Sequence, residues 1–297
     1  MLEELIRFNA DEEDAGKTVR EVLQQRYGVS RRLLVRAKFR GLITRNGDHV
    51  LVNETVQTGD EIAVMVAREE AETVVPEEMP LSIRYEDDDF MVIAKPAGLV
   101  VHPTGNHPGG TLANGVVAYW QKRGEQRRFR AVNRLDKDTS GLLIVAKNQW
   151  VHEQFSRMQQ EGTLQRIYHA IVEGMVEPDE GTIDAPIGLA ENSFITRQIR
   201  SDGQAAVTHY RVLARGKELS FLELKLETGR THQIRVHLSS CGHPLAGDDL
   251  YGGQRSLIGR QALHAVRISF FHPRSGTPMN LLEPLPDDMQ QLLTRFF

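Results

Sequence analysis

The chain has 297 residues, 40% of them hydrophobic and 26% charged, with a formal net charge of −4 and a single cysteine. That length can bury a sizeable core and allows about two domains. The lone Cys241 excludes an internal disulfide framework and a cysteine-based zinc site, and it suits a reducing cytoplasm. The apolar runs are too short for a membrane-spanning helix, and the acidic start from Met1 to Leu5 lacks the basic-then-apolar pattern of a signal peptide.

Residues 17–27 pattern as a short helix with Val19, Val22, Leu23 and Tyr27 on one face. Ser30 is placed to cap a second helix running to Gly41, with Leu33, Leu34 and Ala37 inward. Arg31, Arg32, Arg36, Lys38, Arg40 and Arg45 follow one another with no acidic residue between them. On the outer helix face they would suit phosphates; a solvated basic face is the plainer reading. Asn46-Gly47 signals a hairpin turn, and Val50-Leu51-Val52 and Ile62-Ala63-Val64 read as strands around Thr58-Gly59-Asp60. Residues 69–80 are acidic with two prolines and read as a linker. The implied division is a small domain over 1–68 and a larger one over 81–297.

In the larger part, Phe90 to Ala94 reads as a buried strand leading into Lys95-Pro96-Ala97-Gly98. A second basic group, Lys122, Arg123, Arg127, Arg128, Arg130 and Arg134, is interrupted only by Glu125. Next, Asp138-Thr139-Ser140-Gly141 reads as a turn before the apolar run Leu142 to Ala146. This puts Asp136 on a loop at the mouth of a sheet, where catalytic groups often stand. Alternatively, Asp136 and Asp138 only accept backbone amides in the turn.

Trp150 to Gly162 patterns as a helix with Val151, Phe155 and Met158 inward, and Leu222, Leu224 and Leu226 alternate as one apolar sheet face. Thr231 is placed to cap a further helix in which Ile234, Leu238 and Cys241 recur at helical spacing before Gly242. Strand and helix signals do not alternate strictly, so the order predicts α+β rather than a doubly wound parallel sheet.

No Walker A sequence and no glycine-rich dinucleotide turn follows a strand, so no nucleotide cofactor is expected. Seven histidines, His102, His107, His232, His237, His243, His264 and His272, raise the question of a metal. His232 and His237 are five apart, which is not the spacing of a helical ligand pair, and no metal is expected.

Arg134-Leu135-Asp136-Lys137-Asp138-Thr139-Ser140-Gly141 resembles the catalytic signature of the RluA/RluD-type pseudouridine synthases. Further matches follow in order: Val101-His102-Pro103 through Gly109-Gly110-Thr111-Leu112, then Tyr168 to Gly174, Glu227 to Leu238, and Gly242 to Asp248. The resemblance covers most of residues 80–297 and implies a mixed, mainly antiparallel sheet flanked by helices and loops. It implies a cofactor-free isomerase that extracts a uridine from RNA and converts it to pseudouridine. Asp136 would be the essential carboxylate, Arg235 its partner, and Tyr168 the ring that stacks on the uracil. Leu263 would pack beneath the base, with Arg230 and Ile234 also on the substrate side. Arg134 would fill the space the base vacates, or contact a phosphate.

Residues 1–68 resemble, more loosely, the alpha-L RNA-binding module, and Arg31, Arg32, Arg36, Lys38 and Arg40 would be its RNA contacts. The expected partner is ribosomal RNA of the large subunit, with transfer RNA as the alternative, and the enzyme is expected to be a monomer. Asn133 stands where the family usually carries histidine. It keeps open a different class, a non-catalytic RNA-binding factor of ribosome assembly.

Overall fold

In a computed structural model, residues 2–67, 74–105, 107–191 and 193–297 are described. The chain opens with β1 (Leu2–Asn9). A single α-helical turn, α1 (Val19–Glu21), is capped reciprocally by Thr18 and Glu21 and continues as a wider π turn over Val22–Arg26. Ser30 accepts from Leu33 N and starts α2 (Arg31–Arg40), which buries Leu33, Leu34 and Ala37 as its spacing predicts.

β2 (Gly41–Arg45), β3 (Asp48–His49) and β4 (Glu61–Ala67) complete an antiparallel sheet of order β1-β4-β2-β3. Asn46 and Gly47, at φ 54° and 90°, form the expected tight turn between β2 and β3. The predicted strand over Val50–Val52 is absent. Pairing ends at His49, and Val50 and Val52 are buried from a loop that hydrogen-bonds across to Ile43 and Arg20 instead.

Of the expected linker, residues 69–73 lie outside the described chain. Residues 74–80 are not a free tether. Asn114 Nδ2 donates to Val75 O, Glu77 N donates to Asn114 O, and Glu77 Oε2 accepts from Gly110 N, so the segment is strapped along a helix of the larger part.

That larger part is built on ten paired strands. β5 (Ile83–Glu86), β6 (Phe90–Lys95), α3 (Leu112–Lys122), β7 (Arg130–Ala131), β8 (Ser140–Ala146), α4 (Gln149–Gln160) and β9 (Gln165–Glu173) come first. β10 (Glu180–Asp184), the hairpin β11 (Ile187–Leu189) and β12 (Arg197–Ile199), β13 (Val207–Arg215), β14 (Leu219–Leu226) and α5 (Gln233–Ser240) follow. β15 (Leu263–Phe271), β16 (Pro278–Leu282) and α6 (Asp287–Phe296) end the chain. The sheet order is β10-β13-β14-β9-β15-β8-β6-β5, with β7 and β16 as side branches. Every pairing in it is antiparallel except β8 with β15. The fold is α+β on a mixed sheet.

Strand alternation divides the core. Phe90, Val92, Leu142, Ile144, Ile268 and Phe270 face one side, together with Trp150 and Phe155 of α4 and the apolar interior of residues 5–66. Met91, Ile93, Leu143, Val145, Tyr168, Leu222, Leu224 and Leu263 face the other, against α3 and α5. The small N-terminal part is thus docked on the sheet's rear face. Trp150 Nε1 donates to Tyr27 O at 2.8 Å, and Gln154 Nε2 and Arg157 Nη2 donate to Gly28 O at 3.2 and 3.1 Å. Among the described residues no helix is long and apolar enough to cross a membrane.

Candidate active site

The parallel contact of β8 with β15 is short, pairing Ser140 with His264 and Gly141 with Ala265. Gly141 has φ 113°, and a Cβ there would stand 2.3 Å from Ala265 O, so only glycine permits this approach. The loop 133–139 enters β8 at this point, Leu263 opens β15, and Tyr168 on β9 lies opposite Ala265. Three segments distant in sequence therefore converge on one end of the sheet.

Two internal anchors hold the Asp136 loop. Asn133, 3% exposed, accepts from Ile144 N through Oδ1 at 3.0 Å and donates to Leu142 O at 3.3 Å. It acts as a piece of extra strand against β8. Lys95 Nζ donates to the carbonyls of Pro96, Leu99 and Lys137 at 2.8, 2.8 and 2.9 Å. Burial pushes the Lys95 pKa down to about 7, against the pull of Asp138 and Asp136. Three carbonyl acceptors match the three donors of an ammonium and also favour the charged form.

Asp136 meets Arg235, whose Nη1 donates to Asp136 Oδ2 at 3.1 Å. The other edge of the same guanidinium is committed to Asp248: Nε and Nη2 reach Oδ2 and Oδ1 at 2.7 and 2.8 Å. Asp248 is 1% exposed and Asp136 26% in their side chains, so one carboxylate is buried structure and the other faces the cavity. Burial opposes the charge on Arg235, but the bonds to Asp248 and the two nearby carboxylates outweigh it and hold its pKa above the ordinary value. Tyr251 lies beneath, its ring centroid 4.9 Å from the guanidinium carbon.

α5 does not begin as its sequence suggests. Thr231 is not the cap; His232 takes that place at φ 58°, in the left-handed region, with no capping side chain. Gln233 substitutes, its Oε1 accepting from Arg230 N and Thr228 Oγ1 at 2.9 and 2.7 Å. The twist brings His232 Nε2 to 3.9 Å from Asp136 Oδ2, while Nδ1 meets the Tyr251 hydroxyl at 2.8 Å. That hydroxyl also accepts from Arg197 N at 3.0 Å. Burial lowers the His232 pKa, which Asp136 opposes. Cys241, expected inward, is the exposed residue after the last turn, because α5 ends at Ser240.

Asp136, Tyr168, Arg235, Arg134, Arg230, Ile234 and Leu263 all line one cavity of about 830 Å³. Tyr168, Ile234 and Leu263 are 4% exposed each and form an apolar wall. Arg134 is exposed at the rim, and Arg230, also exposed, donates to Ala205 O. Burial raises the Tyr168 pKa, and the charge of Arg166 on the same strand opposes this. The motifs assigned no role to His232, Arg166, Asp248 or Tyr251. Gly247-Asp248-Asp249 with Tyr251 reads as a structured loop, and nothing in its spacing announces a partner 13 residues away at Arg235.

The predicted RNA contacts divide. Arg31, Arg32, Lys38 and Arg40 are exposed on α2, interleaved with Val35 and Phe39, which are 48% and 73% exposed. Lys38 lies over the Phe39 ring. Arg36 instead turns into the seam between the two parts, where Nη1 donates to Gln149 Oε1 and Nη2 to Ala67 O. In the second basic group, Lys122 pairs with Glu78, and Arg123 and Arg127 pair with Glu125.

A family model described as RNA pseudouridylate synthase matches residues 89–240. A Bacillus subtilis protein named as an uncharacterized RNA pseudouridine synthase, YjbO, is 45% identical over 268 residues, covering 90% of this chain and 95% of the relative. The ribosomal large subunit pseudouridine synthase D of Neisseria meningitidis serogroup A is 45% identical over 250 residues, covering 80% of this chain and 67% of that protein. Among solved structures, human RNA pseudouridylate synthase domain containing 1 is similar with a TM-score of 0.57 and 27% identity, over 76% of this chain and 97% of that one. With a relative matched along nearly its whole length and the family model spanning the Asp136 loop, β9 and α5, the chain belongs to the RNA pseudouridine synthases and is an isomerase.

Proposed function

We propose that this enzyme isomerises uridine in large-subunit ribosomal RNA, with Asp136 as the essential carboxylate. The observation that carries the reading is the Asp136–Arg235 contact on the wall of a cavity also lined by Tyr168. The relatives named as large-subunit synthases support the substrate class. So does the basic, aromatic-bearing outer face of α2, which suits a folded RNA as an alpha-L module would.

The reaction breaks N1–C1′, turns the uracil, and joins C5 to C1′. A proton leaves C5 and one arrives at N1, so atoms balance without an added reagent. Arg235 bonds Asp136 through Oδ2 and leaves its Oδ1 without a partner among the described residues. That oxygen serves either as nucleophile toward the sugar or as the base for a sugar proton. Tyr168 stacks on the flipped uracil, Leu263 and Ile234 exclude water, and Arg134 at the rim occupies the vacated place in the RNA. Such work belongs in the cytoplasm, where ribosomal RNA is made and modified.

The test is tritium release from unmodified RNA labelled at uridine C5, with large-subunit ribosomal RNA and transfer RNA assayed separately. Release from the ribosomal RNA by wild type, and none by Asp136→Asn at comparable RNA affinity, is the expected result. Release from transfer RNA alone would move the substrate, and release by Asp136→Asn would remove the carboxylate from its role.

A further inference from the structure

Arg166 is the charged group at this site whose position the scheme above leaves unexplained. It is two residues before Tyr168 on β9 and therefore on the same face of the sheet, and it lines the same cavity. It is 8% exposed. Its Nε is sealed from solvent and meets no acceptor, and among the described residues no carboxylate forms an ion pair with it. Arg235 provides the contrast, with two carboxylates around one guanidinium.

The loop carrying Glu227 to Arg230 closes over Arg166. The Gly229 backbone lies against the guanidinium: a Cβ there would stand 3.1 Å from Arg166 Nη1. A buried cation with no counter-charge is costly to a folded protein. A site keeps one when the ligand brings the anion. The ligand here is RNA, whose anions are phosphodiesters, and a guanidinium is the side chain best shaped to grip one.

We infer that Arg166 anchors a phosphate flanking the uridine drawn into the cavity, and so sets how deep the nucleotide seats beside Asp136 and Tyr168. The inference rests on the reading of the cavity as the uridine site.

Arg166→Met keeps the length and apolar stem and removes the charge; Arg166→Lys keeps a point charge without the fork. With a large-subunit ribosomal RNA transcript, Arg166→Met should bind about tenfold or more weakly, as expected for a lost charge-assisted bond. Its plot of log affinity against log salt should be shallower by about 0.7, one single-strand phosphate contact. Arg166→Lys should restore most of that slope. Wild type should also prefer uridine 5′- or 3′-monophosphate to uridine as an inhibitor, and Arg166→Met should lose the preference.

The free Arg166→Met protein should melt no lower than wild type, which separates a ligand anchor from a structural residue. A lower melting temperature with unchanged salt slope would overturn the anchor. So would a loss confined to kcat, with affinity and slope intact, which would assign Arg166 to the uracil or to Tyr168. Wild-type tritium release is read independently: its absence would refute the uridine reading, whereas a wild-type salt slope in Arg166→Met would refute the anchor alone.

Discussion

Arg235 is held by two carboxylates that differ in burial, and the difference predicts opposite consequences for the same isosteric change. Asp248 is 1% exposed and makes two short bonds; Asp136 is 26% exposed and makes one of 3.1 Å. Converting Asp248 to Asn leaves a buried guanidinium with half its compensation, a loss of roughly 3 kcal/mol, the lower end for a broken buried pair because the amide still accepts one bond. For a chain of 297 residues the unfolding entropy is about 0.6 kcal/mol/K, so the melting temperature should fall by about 5 °C. Asp136→Asn weakens a single part-buried contact by about 1 kcal/mol, because the amide oxygen still accepts from Arg235, and should shift melting by no more than about 2 °C.

Turnover should order the other way. Asp136→Asn should be inactive, whereas Asp248→Asn should retain activity reduced by about 10²-fold, since Arg235 loses its bearing while the reacting group survives. Calorimetry and tritium release on the two variants, with RNA affinity as a control, check both orders together. Equal melting temperatures, or an Asp248→Asn protein as inactive as Asp136→Asn, would refute the division into a structural and a reacting carboxylate.

Gly141→Ala should cost about 3 kcal/mol or more, combining left-handed strain with a Cβ 2.3 Å from a β15 carbonyl, read as a lower denaturant midpoint. Replacing Arg31, Arg32 and Lys38 by Gln should weaken RNA binding and flatten its salt dependence by about 2 to 3 in slope, with tritium release at saturating RNA preserved. His264 is buried between Ser140 Oγ and Glu283 O, and burial drives its pKa down to about 4. The unfolded chain takes up that proton first. Stability from this group is therefore complete above pH 6.5 and falls as pH drops toward 4, by up to about 3 kcal/mol. His264→Gln should flatten the loss of stability between pH 6.5 and 4 in urea titrations at successive pH values.

The parts of the site legible in the sequence are those whose chemistry is local. Asp136 announced itself by a turn before an apolar run, Tyr168 and Ile234 by ordered motifs, and Leu263 only through the family resemblance; all four line the cavity. What stayed hidden depends on pairing across the fold. Asp248 reads as a turn residue until Arg235 stands beside it, and Arg36, on the same helix face as Arg32, reads as another exposed basic residue until Gln149 and Ala67 are packed against it. Thr231 was the better cap by residue type. The chain instead places His232 at φ 58°, lets Gln233 accept from the Arg230 amide, and brings His232 Nε2 to 3.9 Å from Asp136. Asn133 keeps β8 registered with the loop through its amide, a task for which an imidazole is not required.

The docking of residues 2–67 on the rear of the catalytic sheet has a consequence for how the molecule comes apart. Leu5, Leu23, Leu33 and Val64 share one uninterrupted apolar cluster with Phe90, Ile144, Phe155 and Phe270. Neither half has a complete interior alone. Deleting residues 2–67 would uncover a sheet face of aromatic side chains, which water would drive into self-association. The whole chain should therefore melt in a single calorimetric step, and transplanting a foreign appendage onto the catalytic sheet should fail unless it brings a matching apolar underside.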